Sequence, residues 1–126
     1  VLSYGDIMPL NAEAGGVYLL EGPGNDIVST TAMTAAGAHL ILFTTGRGTP
    51  FACPVPTVKI STNSNLAKKK SNWIDFNAGV LVEDQDMETC AKSLFDYVIA
   101  VASGEKVCSE KAGLQDMAIF KKGVTL

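Results

Sequence analysis

The chain of 126 residues carries a single histidine, His39, and a single arginine, Arg47. With one imidazole no Ser-His-Asp triad can be assigned, and His39 reads as structural. Three cysteines are an odd number at wide spacing, 37 residues from Cys53 to Cys90 and 18 from Cys90 to Cys108. Neither interval fits a zinc motif. A disulfide framework is not expected either, which favours a reducing cytoplasm. Charged residues make up only 18%, against about a quarter in an average soluble protein. Ten Lys and Arg against 13 Asp and Glu leave a net charge of −3, without the basic surplus of a nucleic-acid binder. Long apolar runs are missing too. Leu40–Phe43 and Val98–Ala102 fall far short of the roughly 20 residues that span a bilayer. No Lys- or Arg-led apolar leader, internal repeat or low-complexity tract is visible.

What is present is apolar mass. Hydrophobic residues reach 47% and mean hydropathy is +0.21, enough for one domain with a real core. Val17–Leu20 reads as a short strand broken by Gly22-Pro23-Gly24. Asn25 or Asp26 then caps a helix of small residues that stops at Gly37. Leu40–Phe43, continuously apolar, reads as a strand covered on both faces, which completes a βαβ unit. Thr57–Ser61 and Trp73–Phe76 read as further strands, with a short helix over Leu66–Lys70 between them. The clearest helix starts near Asp84–Asp86. Its apolar face comprises Met87, Cys90, Ala91, Leu94, Phe95, Val98 and Ala102, and Gly104 ends it. Met117–Phe120 is a final apolar patch. The expected class is α/β: a layered, Rossmann-like domain over residues 1–126, with a mostly parallel sheet flanked by helices.

In open parallel sheets ligands bind beyond the carboxyl ends of the strands. The polar loops there are Gly22–Asp26, Thr44–Thr49, Thr62–Asn65 and Asp75–Asn77. Gly22, Gly24, Asn25 and Asp26 form either an anion-binding turn or a plain tight turn. They are not a dinucleotide fingerprint, because Ile27 holds the third glycine position, and no Gly-Lys-Ser/Thr of a Walker loop occurs. Thr44, Thr45, Gly46, Arg47 and Gly48 are the sharper signal. A guanidinium clamps a carboxylate through two parallel bonds, and flanking glycines admit a ligand close to the backbone. The alternative for Arg47 is a solvated arginine paired with an internal acid. Lys59, inside an apolar strand, is either an edge guard or a cation reaching into the site. Asn63 lies in the next polar cluster, and Lys68–Lys70 reads as a solvated helix end. No metal-ligand set and no complete catalytic set emerge, and the chain begins at Val1, in keeping with a piece of a longer polypeptide.

The stretches Gly16-Val17-Tyr18-Leu19-Leu20, Gly22-Pro23-Gly24-Asn25-Asp26, Leu40–Pro50, Val55–Asn63 and Trp73–Gly79 resemble the C-terminal part of the galactarate/altronate dehydratase family. The resemblance covers nearly the whole chain, and Ala118–Leu126 is more similar to galactarate members than to altronate members. It implies a metal-dependent hydro-lyase that dehydrates galactarate to a keto-deoxy-glucarate, with altronate as the alternative substrate. It further implies Fe(II), or Mn(II) in its place, in the full-length enzyme, with none held by this segment alone. The implied partners are a small sugar acid, the N-terminal and central regions of the same polypeptide, and further copies in a homo-oligomer. Nucleic acid and membrane are not among them. The segment alone is expected to be inactive. The reading from a different class is a non-catalytic anion-binding or assembly module centred on Gly22–Asp26.

Overall fold

The computed structural model describes residues 1–8 and 16–118. Its first helix, α1, runs Asp26–Ala35. The Asn25 side chain starts it by accepting the Val28 N–H at 3.3 Å, and Gly37 at φ +114° ends it. The small residues Thr30, Thr31 and Ala32 are its buried ones.

Three parallel strands follow, in the order β1 (Ile41–Thr45), β2 (Thr57–Ser61) and β3 (Phe76–Asn77). The register pairs Ile41 with Thr57, Thr45 with Ser61, and Ser61 with Asn77. An irregular segment joins β1 to β2, and α2 (Ser64–Lys69) joins β2 to β3. The architecture is thus of the expected α/β class. A single-turn 3-10 helix (Ala78–Val82), the long α3 (Met87–Ala102) and the short α4 (Cys108–Lys111) complete the order. Asp86 caps α3 by accepting the Thr89 N–H at 2.9 Å.

β2 is the central strand, and all five of its residues are buried. Because side chains alternate along a strand, Val58 and Ile60 face one way and Thr57, Lys59 and Ser61 the other. Val58 and Ile60 form the apolar core with Val101 and Val107, and Leu40, Phe76, Leu94 and Tyr97 pack around them. Gly79 packs against the start of α2 so closely that a Cβ there would overlap the Ser64 backbone nitrogen.

Four expectations are corrected. Val17–Leu20 is not a sheet strand, so the first βαβ unit does not form. Leu20 makes one isolated parallel bridge to Leu2, and Val17 stays 95% exposed, so pairing there buries little. β1 is not covered on both faces. It is the outer strand among the described residues, and Leu42 is 48% exposed. The strand expected at Trp73–Phe76 begins at Phe76, because the Trp73 and Ile74 N–H groups are spent on the Lys70 carbonyl in a turn. The apolar face of α3 is wider than the sheet it covers. Of the expected face Cys90 is buried and Leu94 and Val98 are half-buried, but Ala91 and Ala102 are exposed and Met87 and Phe95 are 68% and 63% exposed, while Val101, outside that face, is buried. The patch expected at Met117–Phe120 falls partly outside the described residues. Met117 is exposed, while Ala118 donates its N–H to Thr31 Oγ1 at 3.1 Å.

Candidate functional site

At the carboxyl ends of β1 and β2 the polar loops are tied to one another. Thr45 Oγ1 accepts the Gly48 N–H at 2.9 Å, closing the loop that carries Gly46 and Arg47. Gly48 has φ +79°, and a Cβ on it would sit 3.1 Å from Leu66 Cδ1, so glycine is required there. Asn63 uses both ends of its amide within the protein. Its Oδ1 accepts the Leu66 N–H at 2.8 Å, which caps α2, and its Nδ2 donates to the Gly46 carbonyl at 3.2 Å. The Thr62 N–H reaches the Thr45 carbonyl at 3.1 Å. Arg47 is exposed, and its guanidinium makes no hydrogen bond or ion pair among the described residues. The loop is therefore held firmly while its one cation is left free. Thr44 is exposed beside it.

Lys59 meets that loop only at its far end, Thr49. It belongs to the central strand and is 1% exposed, which removes the edge-guard reading. Its Nζ donates to the Thr49 carbonyl at 2.9 Å and lies 5.4 Å from the centre of the Phe51 ring. Beside it opens a pocket of about 430 Å³ bordered by Ser71, Asn72, Trp73, Cys108, Ser109 and Lys111. Burial lowers the Lys59 pKa from its ordinary value, against the upward pull of the Asp75 charge. The Cys108 thiol moves the other way, pushed up to about 11 by burial and by its contact with Asp75. Asp75 itself faces the backbone. One oxygen accepts the Lys59 N–H at 2.8 Å and the other the Cys108 N–H at 2.7 Å.

The other expected positions lie apart. Asn25 is occupied in capping α1, Asp26 opens that helix, and a Cβ at Gly24 would meet open space. No hydrogen bond among the described residues joins Gly22–Asp26 to the strand-end loops. Lys70, at the end of the expected solvated run, lies with its Nζ 4.1 Å from the centre of the Trp73 ring. Asn77 closes the sheet by donating to Ser64 Oγ at 2.9 Å. Among the described residues no group of three or more His, Cys, Asp or Glu side chains is placed to hold a metal ion. No described helix is long and apolar enough to cross a membrane. The pocket residues from Ser71 to Trp73 and from Cys108 to Lys111 escaped the sequence reading. They meet across some 35 residues of chain (73 to 108), and no local spacing carries that signal.

These features define an α/β domain with polar strand-end loops, a free arginine and a lysine-bordered pocket. The chain belongs to the family described as D-galactarate/Altronate dehydratase, C-terminal, whose pattern matches residues 1–125. It is 47% identical to altronate dehydratase of Escherichia coli strain K12 over 126 residues. It is 49% identical to altronate dehydratase of Bacillus subtilis strain 168 over 127. In both cases all of this chain aligns with 25% of the relative. Galactarate dehydratase (L-threo-forming) of Escherichia coli is 35% identical over 109 residues, covering 83% of this chain and 21% of that protein. The chain thus spans about a quarter of the length of these relatives. The leaning towards galactarate members drawn from Ala118–Leu126 is not matched along the chain, where both altronate dehydratases are the more similar.

Proposed function

We propose that this chain serves as the C-terminal domain of a cytoplasmic sugar-acid hydro-lyase, with altronate as the first substrate to test and galactarate as the second. The observation that carries the reading is the family match over residues 1–125, joined to the higher identity with altronate dehydratases. In this reading the whole enzyme removes the proton beside the substrate carboxylate, and the neighbouring hydroxyl leaves as water. This domain contributes binding and orientation. The loop Thr44–Gly48 presents Arg47 to a carboxylate, which a guanidinium holds in two parallel hydrogen bonds. Its backbone is kept in place by the bonds from Thr45 and Asn63, so a ligand meets a preformed turn. The divalent iron or manganese of the full-length enzyme, the other regions of the polypeptide and a homo-oligomeric assembly belong to the same proposal.

The test is a substrate panel on the full-length parent, wild type and Arg47→Lys, with and without ferrous iron. Dehydration of a sugar acid whose kcat/KM falls at least about tenfold in the variant supports the reading, since lysine cannot reproduce the two-bond clamp. Turnover with unchanged kinetics in the variant removes Arg47 from substrate binding. No turnover of any sugar acid removes the proposed reaction.

A further inference from the structure

The pocket beside Lys59 is the least explained feature of the molecule. Its ammonium is almost wholly buried beside the Phe51 ring and has three N–H donors, of which one is used among the described residues, on the Thr49 carbonyl. A buried cation is stable only with good polar company, and an opposite charge is its best company. Lys59 makes no ion pair among the described residues. The Asp75 and Asp116 charges act on it only from beyond ion-pair distance, and the Asp75 oxygens each accept a backbone N–H. A second ammonium, Lys111, lines the same pocket, and no Asp or Glu among the described residues does. Ser71, Asn72 and Ser109 add neutral hydrogen-bonding groups, and Trp73 provides an aromatic wall. The volume of about 430 Å³ falls within the range of small-molecule sites, about 300–1,000 Å³.

We propose that this pocket binds a small organic carboxylate, with Lys59 and Lys111 taking the charge and Ser71, Asn72 and Ser109 taking neighbouring polar groups. Arg47 does not line this pocket, although the loop that carries it ends at the Thr49 carbonyl that Lys59 holds. The site rests on the dehydratase reading only for the choice of sugar acids as the first probes.

The chain carries its own reporter. Trp73 is the single tryptophan, so selectively excited tryptophan fluorescence reads this wall. The 126-residue chain is titrated with altronate, galactarate, succinate as a plain dicarboxylate, and inorganic phosphate. A saturable fluorescence change is expected with at least one carboxylate. Its Kd should rise about tenfold or more in Lys59→Met and severalfold in Lys111→Ala, as loss of a charge-assisted bond requires. Near-UV circular dichroism checks that each variant is folded. Lys111 is exposed, so its variant decides the matter if Lys59→Met fails that check. Saturation by succinate but by neither sugar acid supports the pocket and leaves the dehydratase reading to the substrate panel on the full-length parent. No saturable change with any carboxylate, unchanged affinity in the folded variants, or phosphate binding as tightly as the carboxylates overturns the proposal.

Discussion

The two faces of β2 are built from alternate residues of one five-residue strand, yet they follow different physics. Val58 and Ile60 are buried among apolar side chains under α3, and their contribution grows with the area taken from water. Thr57, Lys59 and Ser61 are equally buried, but each must find hydrogen-bond partners. Thr57 Oγ1 donates to the Val55 carbonyl, Lys59 Nζ to the Thr49 carbonyl and Ser61 Oγ to the Asn63 carbonyl. Burial on one face holds the fold together. On the other, it leaves an incompletely satisfied ammonium beside a cavity. A strand can therefore be wholly buried and still turn three of its five residues towards polar rather than apolar partners.

Ile60→Ala and Lys59→Met test that contrast most strongly. Truncating Ile60 leaves a hole in the apolar core and should cost about 3 kcal/mol in urea unfolding. Lys59→Met loses the bond to Thr49 but also removes a buried charge, so stability should stay within about 1 kcal/mol of wild type. Equal losses in the two variants would mean that both faces act as core.

Alkaline titration gives a smaller effect. The folded Cys108 thiol holds its proton up to about pH 11, whereas an ordinary thiol loses it near 9.0. Its contribution to stability is thus full below pH 9 and falls as pH rises towards 11. Tyr97, pushed up to about 12 from 10.0 by burial, acts in the same direction at higher pH. Lys59 acts oppositely. Its lowered pKa means that the unfolded chain binds more protons, so stability rises with pH between the folded value and 10.5. Urea midpoints compared at pH 9 and pH 11 should fall less in Cys108→Ser than in wild type, and more in Lys59→Met. Identical slopes in all three proteins would show that the pocket groups do not titrate as described.

The smallest effect belongs to the solvated side of α3. Lys92 Nζ meets Asp96 at 2.6 Å, but both side chains are well exposed. Lys92→Ala should change stability by less than about 0.5 kcal/mol, read as a barely moved Tm. A larger loss would show that this surface carries more of the fold than its exposure allows.

Much of this layout was legible in the chain. Asn25, Asp86 and the glycines at 37 and 104 mark helix ends through local chemistry, and local chemistry survives in the fold. Thr57–Ser61 is a strand with the limits its β-branched residues suggested. Val17–Leu20 also reads as strand-forming, but its only bridge partner among the described residues is Leu2, and no composition encodes that. Arg47 stood out because it is the only arginine, and the glycines around it announced an exposed loop. Asn63 was legible as polar and loop-bound. That both ends of its amide are consumed by α2 and Gly46 depends on two segments meeting. The pocket around Lys59 was the least legible part, because Trp73 and Cys108 become neighbours only after the chain has folded.

Asp75 has a consequence that can be read in time. Its two oxygens hold the amide protons of Lys59 and Cys108, and its own N–H donates to the Lys59 carbonyl at 2.9 Å. One side chain thus locks two amides 49 residues apart (59 to 108), one in the middle of the sheet and one at the start of α4. Their hydrogen exchange should be linked, the two protons leaving at rates set by the same opening event, while the other amides of β2 answer to the backbone ladder alone.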